Sequence, residues 1–269
     1  MSSLKIAILD LYEGEPNEGM RCIHQLIDEF RKETDREIIS HVFDVRLKSE
    51  IPDLSFDAYI SSGGPGSPLT SEGSAWEQNY FRLMDSILDF NSKNPFNRKP
   101  VFLICHSFQI FCRYYNYGKV SKRHGTSFGI MPIHKTKDGM HEPFFAGLAD
   151  PFYAVDSRDY QLLSPNEAKI WSGGGTILCI EKDRPFIPLE RAVMAIRFNE
   201  AFIGVQFHPE TDSDGMYKYL LREDKKKLII EKHGARKYEQ MLTMVNEPDK
   251  IKRTYKTILS AFLNSTLPN

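Results

Sequence analysis

A cysteine and a histidine–glutamate pair, far apart in the chain, are the residues with the clearest chemical potential. Cys105 follows the apolar run Val-Phe-Leu-Ile, and His208 and Glu210 end the run Gly-Val-Gln-Phe-His-Pro-Glu. A cysteine becomes a strong nucleophile when a nearby imidazole takes its proton. That imidazole needs an acceptor on its other nitrogen, and residues two apart on a strand point to the same side. The pattern therefore predicts Cys105 as nucleophile, His208 as base and Glu210 as orienting carboxylate.

The residues around Cys105 predict a nucleophile elbow. An apolar strand meets a helix there, so a sharp turn would present the thiol above the edge of a sheet. The start of a helix also favours a thiolate. An elbow usually has small residues two positions before and after the nucleophile, a rule that Ser107 meets and Leu103 does not. A Cys105–His106 dyad is an alternative to the His208 pairing.

Two glycine-rich segments lead to different expectations. The loop at residues 63–68, Gly-Gly-Pro-Gly-Ser-Pro, would let a backbone N–H approach a substrate closely. One N–H from this loop and that of His106 could bracket a developing oxyanion. The loop lacks the Gly-Lys-Ser/Thr ending of a phosphate-binding P-loop. Residues 173–175, Gly-Gly-Gly, lie between two predicted strands and indicate a hairpin turn.

Composition and charge argue against several classes of function. The chain has 35 basic and 36 acidic side chains, so no global field draws it to nucleic acid or to an anionic membrane. Neither a signal peptide nor an apolar run of membrane-spanning length is evident. Four irregularly spaced cysteines suggest neither a disulfide framework nor a zinc site, and no metal or other cofactor is expected. The pattern is typical of a cytoplasmic protein with reduced thiols.

The hydrophobic pattern alternates strands with helices up to about residue 117 and is dominated by strands from there to residue 207. The predicted helices are residues 20–30, 76–90 and 108–117. The predicted strands are residues 5–11, 37–45, 58–61, 101–104, 130–136, 152–155, 169–171, 176–181, 192–198 and 202–207. This order predicts an α/β fold with a doubly wound, mostly parallel sheet flanked by helices.

A charged, helical segment follows Glu210. We divide the chain into one domain at residues 1–213 and a C-terminal helical extension at residues 214–269 that packs on it. Apolar residues at helical spacing are typical of amphipathic helices packed on a core. The same helices could instead form a homodimer or partner surface, and the sequence does not decide between the two.

These motifs together resemble the class I glutamine amidotransferase family, the glutaminase domains that supply ammonia to synthetases. The chain is most similar to the stand-alone members described as GMP-synthase-like. The family's Gly-Gly-Pro loop, cysteine elbow and Phe-His-Pro-Glu run are matched in order by residues 62–68, 104–109 and 204–210. The resemblance covers about residues 4–212.

The resemblance implies a flavodoxin-like, doubly wound domain with a Cys105–His208–Glu210 triad. It also implies that Gly64 and His106 donate the oxyanion amides. By the same resemblance, six residues would bind the substrate: Pro65, Gly66, Gln109, Ser157, Arg158 and Asp159. Of these, Gln109 and residues 157–159 would hold the α-amino and α-carboxylate groups of glutamine.

Three functions are compatible with these residues. The first is hydrolysis of the glutamine side-chain amide through a cysteine thioester, with ammonia passing to a synthetase on a separate chain. The second is a γ-glutamyl hydrolase or peptidase that uses the same triad. The third is a non-catalytic amidotransferase fold that serves as a binding subunit. Leu103 and Arg158 motivate the third, because the family has glycine and histidine at these positions.

Overall fold

The computed structural model describes residues 3–15 and 17–267 as one nine-stranded sheet with helices around it. The strands are β1 (Leu4–Asp10), β2 (Ile38–Asp44), β3 (Ala58–Ser61), β4 (Val101–Ile104), β5 (Lys119–Lys135), β6 (Phe152–Leu163), β7 (Thr176–Glu181), β8 (Val193–Arg197) and β9 (Phe202–Val205). The α-helices are α1 (Glu18–Glu33), α2 (Ala75–Lys93), α3 (His106–Tyr114), α4 (Glu167–Ser172), α5 (Ser213–Leu221), α6 (Glu223–His233), α7 (Ala235–Val245) and α8 (Ile251–Ser265).

Five strands form the parallel part of the sheet, in the order β2-β1-β3-β4-β9. Successive residues of β1 face opposite sides, because side chains alternate along a strand. Ile6 and Ile8 pack with α1 and α8, whereas Ala7 and Leu9 pack with α2 and α3. The sheet is therefore covered on both faces, which confirms the predicted doubly wound α/β fold. The carboxyl ends of its parallel strands share one edge, where ligands bind in such sheets.

The remaining strands extend the sheet in antiparallel fashion, in the order β9-β8-β6-β5-β7, and β7 also pairs with β8. Parallel pairing thus covers five of the nine strands. The longest strand, β5, changes register against β6 between Lys122 and Ser127. This antiparallel part brings Ser157 of β6 close to the carboxyl end of β4. The carbonyl of Ser157 faces the sulfur of Cys105, which directly follows β4.

Two local predictions near residue 170 are wrong. Residues 169–171 were expected as a strand but lie inside helix α4, whose cap residue Asn166 accepts a hydrogen bond from the N–H of Lys169 at 3.2 Å. Such a cap stabilises the first turn of a helix. Residues 173–175 consequently join a helix to β7 and do not close a hairpin. Gly174 has a φ of +75°, a conformation that glycine adopts without steric cost.

The helices after β9 pack on two sides of the sheet. Met216 of α5 and Met241 of α7 share an apolar cluster with Val155 of β6. Helix α8 packs against the parallel part of the sheet. The ring of Phe262 in α8 contacts the ring of Phe102 in β4 at a centroid distance of 5.3 Å. The division at residue 213 stays a prediction. In the part of the chain that the structure describes, no helix is both long and apolar enough to cross a membrane.

Replacing Phe262 by alanine should destabilise the whole fold. The side chain is 1% exposed and fills the core between α8 and the sheet. Removing a buried phenylalanine side chain leaves a cavity and typically costs about 3–5 kcal/mol. Urea unfolding followed by circular dichroism would measure the loss. Leu228→Ala, on the exposed face of α6 at 40% exposure, is the control and should change stability by about 0.5 kcal/mol or less. Equal effects of the two substitutions would show that α8 is not part of the core.

Candidate functional site

Cys105 occupies the sharp turn between β4 and α3. Its φ of 49° and ψ of −97° are rare for a residue with a side chain. Such backbone strain costs about 1–3 kcal/mol and persists only where the surroundings enforce it. The N–H of Cys105 donates to the carbonyl of Val205 at 2.8 Å, and its carbonyl accepts from Gln109 N–H at 3.0 Å. Both peptide groups of the residue are thus held, and the thiol lies where the elbow was predicted.

Ser107 and Gly204 explain how an elbow forms without the usual glycines. The Ser107 hydroxyl accepts from the N–H of Ile104 at 2.8 Å and donates to the carbonyl of Ser61 at 2.9 Å, which ties the turn to β3. Leu103 is fully buried and pairs with Gly204 of the adjacent strand. A Cβ on Gly204 would lie 2.7 Å from Phe108 and 3.4 Å from the Cβ of Leu103. The neighbouring strand therefore supplies the space that Leu103 requires.

His208 and Glu210 follow β9 and form a hydrogen-bonded pair. Nδ1 of His208 lies 2.8 Å from Oε1 of Glu210, whose side chain is buried. The N–H of His208 donates to the carbonyl of Val155 in β6 at 2.8 Å, so the segment is anchored to the antiparallel part of the sheet. The imidazole is 13% exposed and opens toward the cleft. The arrangement is the one expected of a base and its orienting carboxylate.

The charge of His208 is set by its neighbours. Burial opposes the charged imidazolium, but the carboxylate of Glu210, the sulfur of Cys105 and hydrogen bonds to both raise the pKa of His208 well above its usual value. A negative charge close to the ring, such as the Glu210 carboxylate, stabilises its protonated form. The geometry therefore favours an imidazolium that can later give its proton to a leaving group.

Gly63 shows that the three segments meet at one point. A Cβ added to Gly63 would lie 3.0 Å from Cε1 of His208, 3.2 Å from the Tyr12 hydroxyl and 3.6 Å from Cβ of Cys105. Only a residue without a side chain leaves this space open. The glycine loop, the elbow and the histidine segment are therefore in contact, although they are separated by many residues in the sequence.

The predicted oxyanion donors lie on either side of the elbow. Gly64 sits against β1, because a Cβ on it would come within 2.4 Å of the carbonyl oxygen of Leu11. His106 is the first residue of α3, where N–H groups have no partner within the helix. Neither N–H donates to an acceptor within residues 3–15 and 17–267. Both residues, with Pro65 and Gly66, line the cleft that contains Cys105.

The side chain of His106 is unsuited to act as the base of a dyad. It is buried, and burial together with the positive charges of Arg46 and Arg113 lowers its pKa to about 3. The ring is therefore neutral at physiological pH and cannot hold the proton of a thiolate–imidazolium pair. This argues for His208 over the alternative Cys105–His106 dyad.

Gln109 and Ser157 lie next to Cys105. The Gln109 side chain donates to Oε1 of Gln206 at 3.0 Å and to the carbonyl of Tyr160 at 3.2 Å. Gln206 in turn donates to the sulfur of Cys105 at 3.6 Å. The Ser157 carbonyl lies 3.8 Å from the same sulfur. Gln109 and Ser157 both line the cleft, and their contacts with a substrate stay a prediction.

Arg158 and Asp159 have protein partners of their own. Nε of Arg158 donates to the carboxylate of Asp156 at 2.9 Å, and Nη2 donates to Glu181 at 3.1 Å. Only Nη1 of this buried guanidinium has no partner among the residues described, so two N–H edges are not free for a bidentate grip on a carboxylate. Asp159 is exposed and accepts from the Thr126 hydroxyl at 2.5 Å. Both residues nevertheless line the cleft.

Sequence reasoning missed Tyr12 and Gln206. Burial, followed by the negative charges of Glu210 and Cys105, raises the pKa of Tyr12 well above its usual value, so the hydroxyl keeps its proton. Its oxygen would lie 2.3 Å from a Cβ on Gly19, which therefore has room for no side chain. Tyr12 follows the carboxyl end of β1, and that position was the available signal, because such ends share one edge of the sheet.

The cleft around Cys105 is large and is lined by both polar and apolar groups. Its volume is about 1050 Å³, and it runs from the glycine loop and α1 to α5 and α6. The residues that line it include Phe128, Met216, Tyr219 and Lys225. Among the described residues, no group of three or more histidine, cysteine or carboxylate side chains is placed to hold a metal ion.

Comparisons with known proteins identify the family. The family model for "Glutamine amidotransferase class-I" matches residues 19–227. No curated protein matches the chain. The fold is similar to that of a glutamine amidotransferase from Thermotoga maritima, with a TM-score of 0.70, 16% sequence identity and complete coverage of both chains.

Two further solved structures are similar over most of the chain. One is a provisionally described GMP synthase subunit from Thermoplasma acidophilum, with a TM-score of 0.51, 15% identity and coverage of 78% of this chain and 86% of that one. The other is the glutaminase domain of Trypanosoma brucei CTPS with bound acivicin, with a TM-score of 0.50, 15% identity and coverage of 77% and 86%. At such identities the likeness is one of fold.

The Gly63→Ala variant should still fold but should lose most of any activity that depends on Cys105. The added methyl would lie 3.0 Å from the His208 ring, so the ring must shift relative to Cys105. A misplacement of about 1 Å can cost about 100-fold in rate. Steady-state kinetics and a thermal melt would measure both effects. Gly125→Ala is the control, because its new methyl meets nothing within 4 Å. Full activity of the Gly63 variant would contradict this arrangement.

Glu210→Gln should move the alkaline limb of the pH–kcat profile to lower pH. The folded-state pKa of His208 is raised partly by the Glu210 charge, so the wild-type imidazolium persists above the usual histidine range. Without that charge the ring loses its proton at lower pH, and general-acid catalysis is lost there. Glu15→Gln is the control, since Glu15 lines the cleft but is not among the groups that shift His208. An unmoved limb would show that Glu210 does not set this pKa.

Proposed function

Because the chain belongs to the class I glutamine amidotransferase family, we propose that it hydrolyses the side-chain amide of glutamine through a thioester on Cys105. The single observation that carries the proposal is the strained elbow that holds Cys105 beside the His208–Glu210 pair. Covalent catalysis by cysteine needs a nucleophile, a base in hydrogen-bond contact and a group that orients the base. All three roles have a candidate residue at one edge of the sheet.

The first half of the reaction forms the thioester. The Cys105 thiolate attacks the side-chain carbonyl carbon of glutamine, and the carbonyl oxygen becomes an oxyanion that the N–H groups of Gly64 and His106 stabilise. The imidazolium of His208 gives its proton to the leaving nitrogen, the C–N bond breaks, and ammonia departs. Each oxyanion donor is worth about 2.7–4 kcal/mol of transition-state stabilisation.

The second half regenerates the enzyme. His208, now neutral, takes a proton from water, which attacks the γ-glutamyl thioester and forms a second oxyanion. The C–S bond then breaks, and glutamate leaves with Cys105 again a thiolate. Glu210 keeps the imidazole in one tautomer throughout, because Nδ1 stays bound to its carboxylate. No cofactor takes part.

The ammonia released at Cys105 would be consumed by an enzyme on another chain. The fold neighbours include a glutaminase domain of CTPS and a provisional GMP synthase subunit, both named for synthetases. We therefore propose a separate synthetase as acceptor. We also propose that the protein is cytoplasmic, as its cysteine usage predicts.

A γ-glutamyl hydrolase or peptidase is the second candidate. The cleft of about 1050 Å³ that continues beyond Cys105 to α5 and α6 favours it, because a glutamine side chain would fill only a small part of that space. The chemistry at Cys105 would be the same, with an amine or amino acid leaving in place of ammonia. Substrate comparison distinguishes the two candidates.

Cys105→Ala should abolish turnover of both substrate classes. The experiment measures ammonia release from glutamine and amine release from γ-glutamyl conjugates in the wild type and the variant. Higher kcat/KM for glutamine supports the amidotransferase, and higher kcat/KM for conjugates supports the hydrolase. Cys179→Ala is the control, because Cys179 is a buried core residue away from the cleft.

Covalent labelling, together with the turnover assay, tests the non-catalytic alternative. A diazo-ketone analogue of glutamine should label Cys105 stoichiometrically in an active protein, since alkylation needs the thiolate and the amino-acid pocket. Wild-type activity in the Cys105→Ala variant would exclude both enzymes. Absent turnover together with absent labelling would support a purely binding role.

A further inference from the structure

The Ser62 hydroxyl fixes the direction of the Gly63–Gly64 peptide. This fully buried side chain accepts a hydrogen bond from the N–H of Leu11 at 2.9 Å and donates one to the carbonyl of Gly63 at 2.8 Å. In a trans peptide the carbonyl and the next N–H point in opposite directions. Holding the Gly63 carbonyl toward β1 therefore turns the Gly64 N–H the other way.

Arg46 binds the carbonyl of Pro65, two residues further along the same loop. Its Nη1 donates to the carbonyl of Pro65 at 2.8 Å and to that of Leu11 at 3.2 Å. Nη2 pairs with Glu13 at 2.6 Å, and the guanidinium lies 5.4 Å from the centre of the Trp76 ring. The planar guanidinium is thus held from two sides, and its donors have little freedom to leave the carbonyls.

Both side chains attach the loop to the same residue, Leu11, which directly follows β1. The N–H of Leu11 donates to the Ser62 hydroxyl, and the carbonyl of Leu11 accepts from Arg46. The same carbonyl lies directly against Gly64. Glycine-rich peptides rotate easily. Without these bonds, rotation of the Gly63–Gly64 peptide would turn a carbonyl dipole toward the oxyanion and remove the N–H that should stabilise it.

We propose that Ser62 and Arg46 are positioning residues that hold the Gly64 N–H in its donor orientation. They do not touch the substrate and act through the loop peptide alone. The inference rests on the proposed acyl-transfer chemistry of Cys105. It does not depend on whether glutamine is the substrate.

Two properties of Cys105 then depend on different parts of the site. Thiolate formation depends on His208 and Glu210, which lie on the segment after β9. Oxyanion stabilisation depends in part on the Gly64 N–H of the loop at residues 63–68. Loss of Ser62 or Arg46 should weaken the second property and leave the first unchanged.

Two reactions of Cys105 measure these properties independently. p-Nitrophenyl acetate acylates the thiolate: a C–S bond forms through a tetrahedral oxyanion, the ester C–O bond breaks, and p-nitrophenolate leaves. Iodoacetamide alkylates the thiolate: a C–S bond forms, iodide leaves, and no oxyanion arises. Mass spectrometry of the Cys105 peptide follows both reactions, with Cys105→Ala as background.

Ser62→Ala and Arg46→Gln should each slow acylation by about 10- to 100-fold, less than the effect of deleting a donor outright. Alkylation should keep the wild-type rate, because the thiolate fraction is unchanged. The acylation rate of Arg46→Lys should lie between those of the wild type and Arg46→Gln, since an ammonium keeps the charge but loses the planar arrangement of donors. If glutamine is turned over, Ser62→Ala and Arg46→Gln should lower kcat with little change in KM.

Matched controls come from neighbouring elements. Ser61→Ala removes an equally buried hydroxyl that contacts Tyr80 and not the loop. Arg31→Gln removes an arginine whose Nε binds the carbonyl of Ile38, between α1 and β2. Both control variants should acylate and alkylate like the wild type.

Three outcomes would overturn the proposal. They are equal rates of acylation in wild type and variants, a parallel fall of acylation and alkylation, and a wild-type Cys105 that is alkylated but not acylated. Failure of glutamine turnover with selective loss of acylation in the variants would reject the glutaminase and retain the positioning role. A Cys105 inert to both reagents would reject both proposals.

Discussion

The left-handed backbone at Cys105 is the constraint on which the candidate site depends. A residue with a side chain adopts this conformation only when its surroundings enforce it, and here β4, β9 and the Ser107 hydroxyl do so together. The turn projects the sulfur beyond the sheet and directs the first N–H groups of α3 into the same space. If the turn relaxed, the proposed nucleophile and one proposed oxyanion donor would be displaced together.

The antiparallel part of the sheet has an equally direct role. The bridge between Val155 and His208 places the histidine segment against β6, and the Ser157 carbonyl reaches the sulfur of Cys105 from the same strand. The site is thus built at the boundary between parallel and antiparallel pairing. Strands on both sides limit the freedom of the imidazole, and a general acid or base must lie within hydrogen-bond reach of the proton that it transfers.

Much of this arrangement was predictable from local sequence. Buried runs and helical periods located most strands and helices, and the order of the three motifs indicated the fold. The errors came where local signals were ambiguous. Residues 169–171 form a helix because the Asn166 cap outweighs their apolar character. The role of Gly204 beside Leu103 could not be seen, because it depends on the pairing of two strands about 100 residues apart.

The sequence by itself determined the chemical groups: a cysteine at a strand–helix junction, a histidine and a glutamate two residues apart, and glycines that allow a backbone to come close. Tertiary structure decided what those groups experience. The raised pKa of His208, the neutral ring of His106 and the pairing of Arg158 with Asp156 and Glu181 all arise from contacts between distant segments. Electrostatic and hydrogen-bond energies depend on distance and burial in space, and neither is encoded by spacing along the chain.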